Sequence, residues 1–239
     1  MTHPTNERAP NSRSAAARAR ELAHVALRRV SGMSALLLLL VSVVFVLPSI
    51  LQVVPEWQLV TDILVILILA SGVVAVAEHR KLALALAVVS LVVIAVRVIE
   101  WFTPVDLLPL LRRLSTLGAF LVLASAVGIN VFASGHAIGD RVFGAIVLYL
   151  LLGLIWGVMY AELGAQSPGA FAGHPGVTGG LADWIYFSFV TLTTVGYGDI
   201  TPVATSARSL AMLEALTGQL YPAIIIARLV SLQSGPQQS

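Results

Sequence analysis

Charge is scarce in this chain and cysteine is missing altogether: 11% of its 239 residues are charged, and there is no Cys. A soluble domain typically carries about 25% charged residues, so the water-facing surface of a soluble enzyme or a nucleic-acid-binding module cannot be built from this set. The absent thiols exclude disulfides, thiolate metal sites and thiol catalysis. Histidines are few and scattered (His3, His24, His79, His136 and His174), without the spacing of metal ligands. No nucleophile–base grouping and no phosphate-cradling glycine loop is recognisable. Neither an enzyme nor a resident cofactor is expected. What abounds is apolar: 58% of the residues are hydrophobic and the mean hydropathy is +0.92. That composition describes an integral membrane protein.

A helix crossing the hydrocarbon core needs about 20 mostly apolar residues. Six stretches qualify: 34–54; 59–78, with Asp62 near its start; 82–101, with Arg97 and Glu100 near its end; 114–133; 142–161; and about 205–230, which carries Arg208, Glu214 and Arg228. A seventh apolar stretch, 181–193, would reach only about 20 Å as a helix, which suits a re-entrant segment. Before it, the Gly/Pro-rich run from Gly164 to Gly180 reads as an exposed loop. Lys/Arg bias orients the chain. With the N-terminus inside, the inner side collects the N-terminal arginines, Arg80, Lys81, Arg141 and Arg228, against Arg97, Arg112, Arg113 and Arg208 outside. Both termini are therefore expected in the cytoplasm and the chain in the plasma membrane. Residues 1–33 form a cytoplasmic head. From Ala15 to Val30 its pattern is that of an amphipathic helix, whose arginines suit anionic lipid head groups; a transit peptide is the alternative.

The re-entrant segment runs into Thr193-Thr194-Val195-Gly196-Tyr197-Gly198-Asp199. A cation entering a narrow pore must exchange its water for other oxygens. Backbone carbonyls can supply them if consecutive residues aim C=O at one axis, which alternating left- and right-handed conformations allow. Glycine takes the left-handed kind at little steric cost, and Gly196 and Gly198 sit two apart. Thr194 adds a hydroxyl at the inner end. The negative pole of the preceding helix, near Leu192 and Thr193, favours a waiting cation.

Here the chain resembles the potassium channels, whose selectivity filter is Thr-Val-Gly-Tyr-Gly. The resemblance implies an all-α membrane protein of six transmembrane helices plus a re-entrant pore helix and filter loop. Potassium would be held at Thr194, Val195, Gly196 and Tyr197, with Gly198 completing the filter. Thr193, Asp199, Tyr186 and Phe187 would support it, Tyr186 by a hydrogen bond to Asp199. Many members carry tryptophans at the positions of Tyr186 and Phe187. With Phe189 and Tyr197, these residues could form an aromatic cuff. One loop per chain implies a homotetramer. The pore domain would be 141–232, the four-helix sensor-like domain 34–134 and the tail 233–239.

Voltage sensing needs arginines at every third position of the fourth span, and 114–133 has none, so steep voltage gating is not expected. Arg97 and Glu100 are expected to pair at i,i+3 near the outer interface or to snorkel; the other reading is that Arg97 with Glu100 and Asp62 moves some charge. The short stretch from Leu229 to Ser239 leaves no room for a ligand-binding module, so regulation would come from lipid, pH, tension, permeant ions or a partner. Gly218 stands where related channels carry a hinge glycine, and close packing is its other reading. Pro222 would kink the same helix. Glu214 is an acid within a span, placed to sit behind the filter and bonded to the re-entrant helix in a structural role, with pH sensing as its other reading; either Gln219 or Tyr221 would face the cavity. A poorly selective cation channel and a potassium transporter subunit are the competing functions. Nucleic acid is not an expected partner.

Overall fold

The computed structural model describes residues 33–46, 57–77, 79–103, 107–132, 138–173 and 180–233. Its helices are α1 (Met33–Val46, closing in a π turn over Ser42–Val46), α2 (Trp57–Ala75), α3 (Arg80–Phe102), α4 (Leu108–Phe132), α5 (Ile138–Gln166), α6 (Leu181–Leu192) and α7 (Thr205–Gln233). Two short strands, β1 (Phe171–Ala172) and β2 (Thr201–Pro202), pair antiparallel with Phe171 opposite Pro202. The chain is an all-α membrane protein. Among the described residues, α3, α4, α5 and α7 are long and apolar enough to cross a membrane, while α1, the Leu59–Ala75 part of α2, and α6 are apolar but shorter. The amphipathic head, residues 47–54 of the first expected span, the tail beyond 233, and His3, His24, His136 and His174 lie outside the described residues.

Two boundaries differ from the sequence reading. Helix α4 starts at Leu108, not near 114, and so takes Arg112 and Arg113 into its opening turns. Pro109 permits this, because a residue in the first helical turn has no intrahelical N–H bond to lose. Helix α5 continues to Gln166, so Gly164 is helical and the loop begins at Ser167. The loop is also less irregular than its glycines suggest, since β1 lies within it.

Packing follows from which residues are small. Helix α6 lies against α5, where Gly153 sits under the ring of Phe189 and Gly157 against the backbone of Ile185. Gly164 sits under the Trp184 ring; a Cβ there would approach it to 2.6 Å. Without a hydrophobic drive between helices in lipid, close approach at such small residues is what holds them together. Leu36, Leu40, Ile68, Leu86, Leu123, Leu151 and Leu154 form the main core, joining α1 to α5. A second cluster, Trp156, Tyr160, Trp184, Phe187, Leu192 and Ile200, lies beneath the segment after α6. Phe171 caps it, 4.8 Å from the Trp184 ring and 5.5 Å from Phe187, edge-on to both. Helix α3 buries only the Leu86, Val93 and Arg97 face; its outward Leu84, Leu91 and Trp101 suit lipid.

Candidate functional site

Helix α6 ends at Leu192 because the chain turns there. The Thr193 N–H and Oγ1 both donate to the Phe189 carbonyl, at 3.0 and 2.6 Å. The next backbone N–H groups fold back likewise: Thr194 to the Thr191 carbonyl at 2.9 Å, Val195 and Gly196 both to that of Val190 at 3.0 and 3.2 Å. From Thr194 onward every second residue is left-handed, with φ of 58° at Thr194, 58° at Gly196 and 81° at Gly198. Glycine makes the last two easy. Thr194, for which the sequence reading named only the hydroxyl, is left-handed as well. Its bond to Thr191 and a hydrogen bond accepted by its Oγ1 from Gln219 Nε2, at 2.9 Å, hold it there.

The C-terminal end of the segment is clamped from three sides. Tyr186 donates its hydroxyl to Asp199 Oδ2 at 2.7 Å, the contact that the resemblance implies, and Ile200 N–H donates to Oδ1 at 3.1 Å. The β1–β2 pair ties the segment to the loop before α6, and Gly173, at φ 79°, packs its backbone on the Asp199 carbonyl. The four aromatics expected in a cuff are not gathered within one chain. Phe187 packs inward, 4.8 Å from the Tyr160 ring, and Phe189 lies on Gly153. Tyr197 is 72% exposed and Val195 54%, because each extends away from its own chain's core.

Behind α6, Glu214 of α7 is fully buried. Tyr160 of α5 donates to its Oε2 at 2.6 Å and Ser188 of α6 stands 2.5 Å from Oε1. One carboxylate thus joins three helices. Sequence reading placed Glu214 here, bonded to the re-entrant helix, but named neither Ser188 nor the Tyr160 of α5; the signal for the first was a lone hydroxyl in an apolar helix. Gly218 abuts the Leu192 carbonyl, so a side chain there would overlap it. Pro222, four residues on, lacks the N–H that would bond the Gly218 carbonyl, although α7 continues through it. Tyr221 turns to α5, donating to the Ala145 carbonyl at 2.7 Å, while Gln219 faces the threonine of the filter-like segment.

A second polar cluster joins α2, α3 and α4. The expected Arg97–Glu100 pair is not formed. Arg97 instead pairs with Asp62 and donates to Thr116 Oγ1 at 3.0 Å, and Glu100 lies 3.5 Å from Arg112. The reason is burial: Arg97 is 6% exposed and takes the acceptors available at its own depth. Arg113 pairs with Glu162, linking α4 to α5.

A family model described as "Ion channel" matches residues 142–233. Two pore potassium channel c of Oryza sativa subsp. japonica is 41% identical over 84 residues, 35% of this chain and 18% of that protein. Protein LctB of Geobacillus stearothermophilus is 40% identical over 86 residues, 34% of this chain and 62% of it. Protein LctB of Bacillus caldotenax is 33% identical over 96 residues, 38% of this chain and 71% of it. The chain therefore spans less than two thirds of the first two. It belongs to the potassium-channel superfamily of ion channels.

Proposed function

We propose that four copies of this chain surround a central passage and let potassium ions pass through it down their gradient. The carbonyls of Thr194, Val195, Gly196 and Tyr197 replace the ion's water, the Thr194 hydroxyl adds an oxygen at the inner end, and Gly198 and Asp199 secure the outer mouth. Potassium is the cargo here, not a resident cofactor. The observation that carries this reading is the left-handed φ at Thr194, Gly196 and Gly198, a path on which successive carbonyls can face one axis. Exposure of Tyr197 and Val195 in the single chain agrees with neighbours that cover them. In this reading residues 34–134 form a four-helix unit of four spans and residues 141–232 the pore domain. The protein lies in the plasma membrane with both termini cytoplasmic. Gly218 and Pro222 mark the weak point of α7 where a gate can bend.

Reconstitution in planar bilayers with potassium on one side and sodium on the other tests it. Unitary currents reversing close to the potassium equilibrium potential are expected. Reversal near zero would make the protein a poorly selective cation channel. Saturable flux without unitary currents would make it a transporter subunit.

A further inference from the structure

The stretch Ala170–Gly173 forms a strap between α5 and the filter-like run, pinned at several points. Ala170 is buried, and its carbonyl accepts the N–H groups of Val203 and Ala204 at 2.8 and 3.1 Å, just ahead of α7. Phe171 and Ala172 follow as β1, paired with β2, and the Phe171 ring is set among Tyr160, Trp184 and Phe187. Held in this way, the strap delivers Gly173 to the Asp199 carbonyl. A methyl on Gly173 would overlap the Asp199 oxygen yet lie 3.2 Å from its carbon, so the C=O bond is aimed at Gly173. The position calls for glycine twice over, once for its left-handed φ of 79° and once for this approach. The other end of the run has the same arrangement: a methyl on Gly218 of α7 would overlap the Leu192 oxygen and lie 2.8 Å from its carbon.

Two carbonyls thus bracket residues 193–198, each turned onto a glycine of another element. An oxygen packed on a glycine backbone leaves no space for an ion between them. In the conduction path proposed above, on which this inference rests, potassium is left with the carbonyls that lie between the two brackets. We propose that Gly173 is a positioning residue for conduction: by taking the Asp199 carbonyl, it fixes the point at which the row of ion-facing oxygens ends. Tyr186 and the Ile200 N–H hold the Asp199 side chain. Gly173 holds its backbone, and the backbone is what carries the row.

The full chain and its variants Gly173→Ala and Gly169→Ala are compared in planar bilayers with potassium on one side and sodium on the other. Gly169 is left-handed too, at φ 85°, but a Cβ there meets nothing within 4 Å. Both variants therefore carry the same kind of backbone strain, and only Gly173→Ala presses on the filter-like run. It is expected to lower the potassium-to-sodium permeability ratio roughly tenfold, since the strain of an added methyl falls on the end of the row, while Gly169→Ala keeps the wild-type ratio. Equal ratios for the two variants, beside a selective wild type, overturn this inference alone. A wild type that reverses near zero refutes the conduction reading and the inference with it. Should Gly173→Ala not fold, Ala172→Cys/Thr201→Cys places two thiols directly opposite one another in the antiparallel pair, in a chain that has no other cysteine. Oxidised to the disulfide, this variant is expected to keep the wild-type permeability ratio and unitary current, because the strap stays on the run while ions pass. Loss of current that a reductant restores overturns the proposal.

Discussion

A φ of 58° is shared by Thr194 and Gly196 at very different cost. Glycine takes it freely, whereas a β-branched residue held left-handed loses of order 1–3 kcal/mol. Thr194 tolerates this because Gln219 and the end of α6 hold it. No such support is available for a side chain introduced at 196. Gly196→Ala should therefore relax the alternation, and the potassium-to-sodium permeability ratio, read from bi-ionic reversal potentials, should fall at least roughly tenfold, the equivalent of about 1.4 kcal/mol. An unchanged ratio would mean that selectivity is set elsewhere. Glu214 poses a different problem, that of a buried tyrosine hydroxyl whose acceptor is this carboxylate. Glu214→Leu leaves Tyr160 without it, at about 1–3 kcal/mol for the unsatisfied group, whereas Ser188 Oγ keeps the Gly153 carbonyl at 2.8 Å. Glu214→Gln keeps one oxygen and the shape. The expected order of Tm, followed by tryptophan fluorescence, is wild type, then Gln, then Leu. Equal values for the two variants would show that the Tyr160 hydroxyl finds another acceptor.

Elements were more legible than their contacts. Every apolar stretch of the sequence reading has a helix within it, because a mostly apolar segment in lipid has few other ways to satisfy its backbone. Helix ends were harder to place. Charge marked Arg112 and Arg113 as loop, yet both are helical once Pro109 has begun α4; charge at a helix end carries no signal of its own there. The filter-like run was readable residue by residue, since glycine spacing encodes backbone handedness directly. The Asp62–Arg97 pair, the Glu214–Tyr160 bond and the Gly153–Gly157 seat for α6 were not. Each depends on how helices turn toward one another, which composition does not specify. That seat can be tested at the scale of the helix pair. A Cβ on Gly157 would already lie 3.1 Å from the Ile185 backbone, and backbone cannot swing aside as a side chain can. Gly157→Val should push α6 off α5 and destabilise the protein by about 1–3 kcal/mol, the usual cost of overpacking. Gly118→Val, where a Cβ would meet nothing within 4 Å, is the control. A Tm as low for the control as for Gly157→Val would locate the effect outside this contact.

For the molecule as a whole, the arrangement of charge decides whether a membrane voltage can move it. One elementary charge carried through 100 mV yields about 2.3 kcal/mol. Arg97 is the buried candidate, but it is paired with Asp62, and both side chains are less than a tenth exposed. Breaking a buried pair costs about 3–5 kcal/mol, more than such a step supplies. Arg112 and Arg113 stand side by side in the opening turns of α4, in contact with Glu100 and Glu162 respectively. From Leu114 to Phe132 the helix carries no charge at all, so a displacement of α4 would transfer little charge across the field. Steady-state conductance of the reconstituted protein should therefore change less than about threefold between roughly −100 and +100 mV, well under the response that even one mobile charge would give. Activation by orders of magnitude over that range would require Arg97 to leave Asp62. In that event Asp62→Asn, which removes the counter-charge, should shift the activation midpoint by tens of millivolts; in a weakly voltage-dependent protein the same change lowers Tm and leaves the shape of the current–voltage relation as it was.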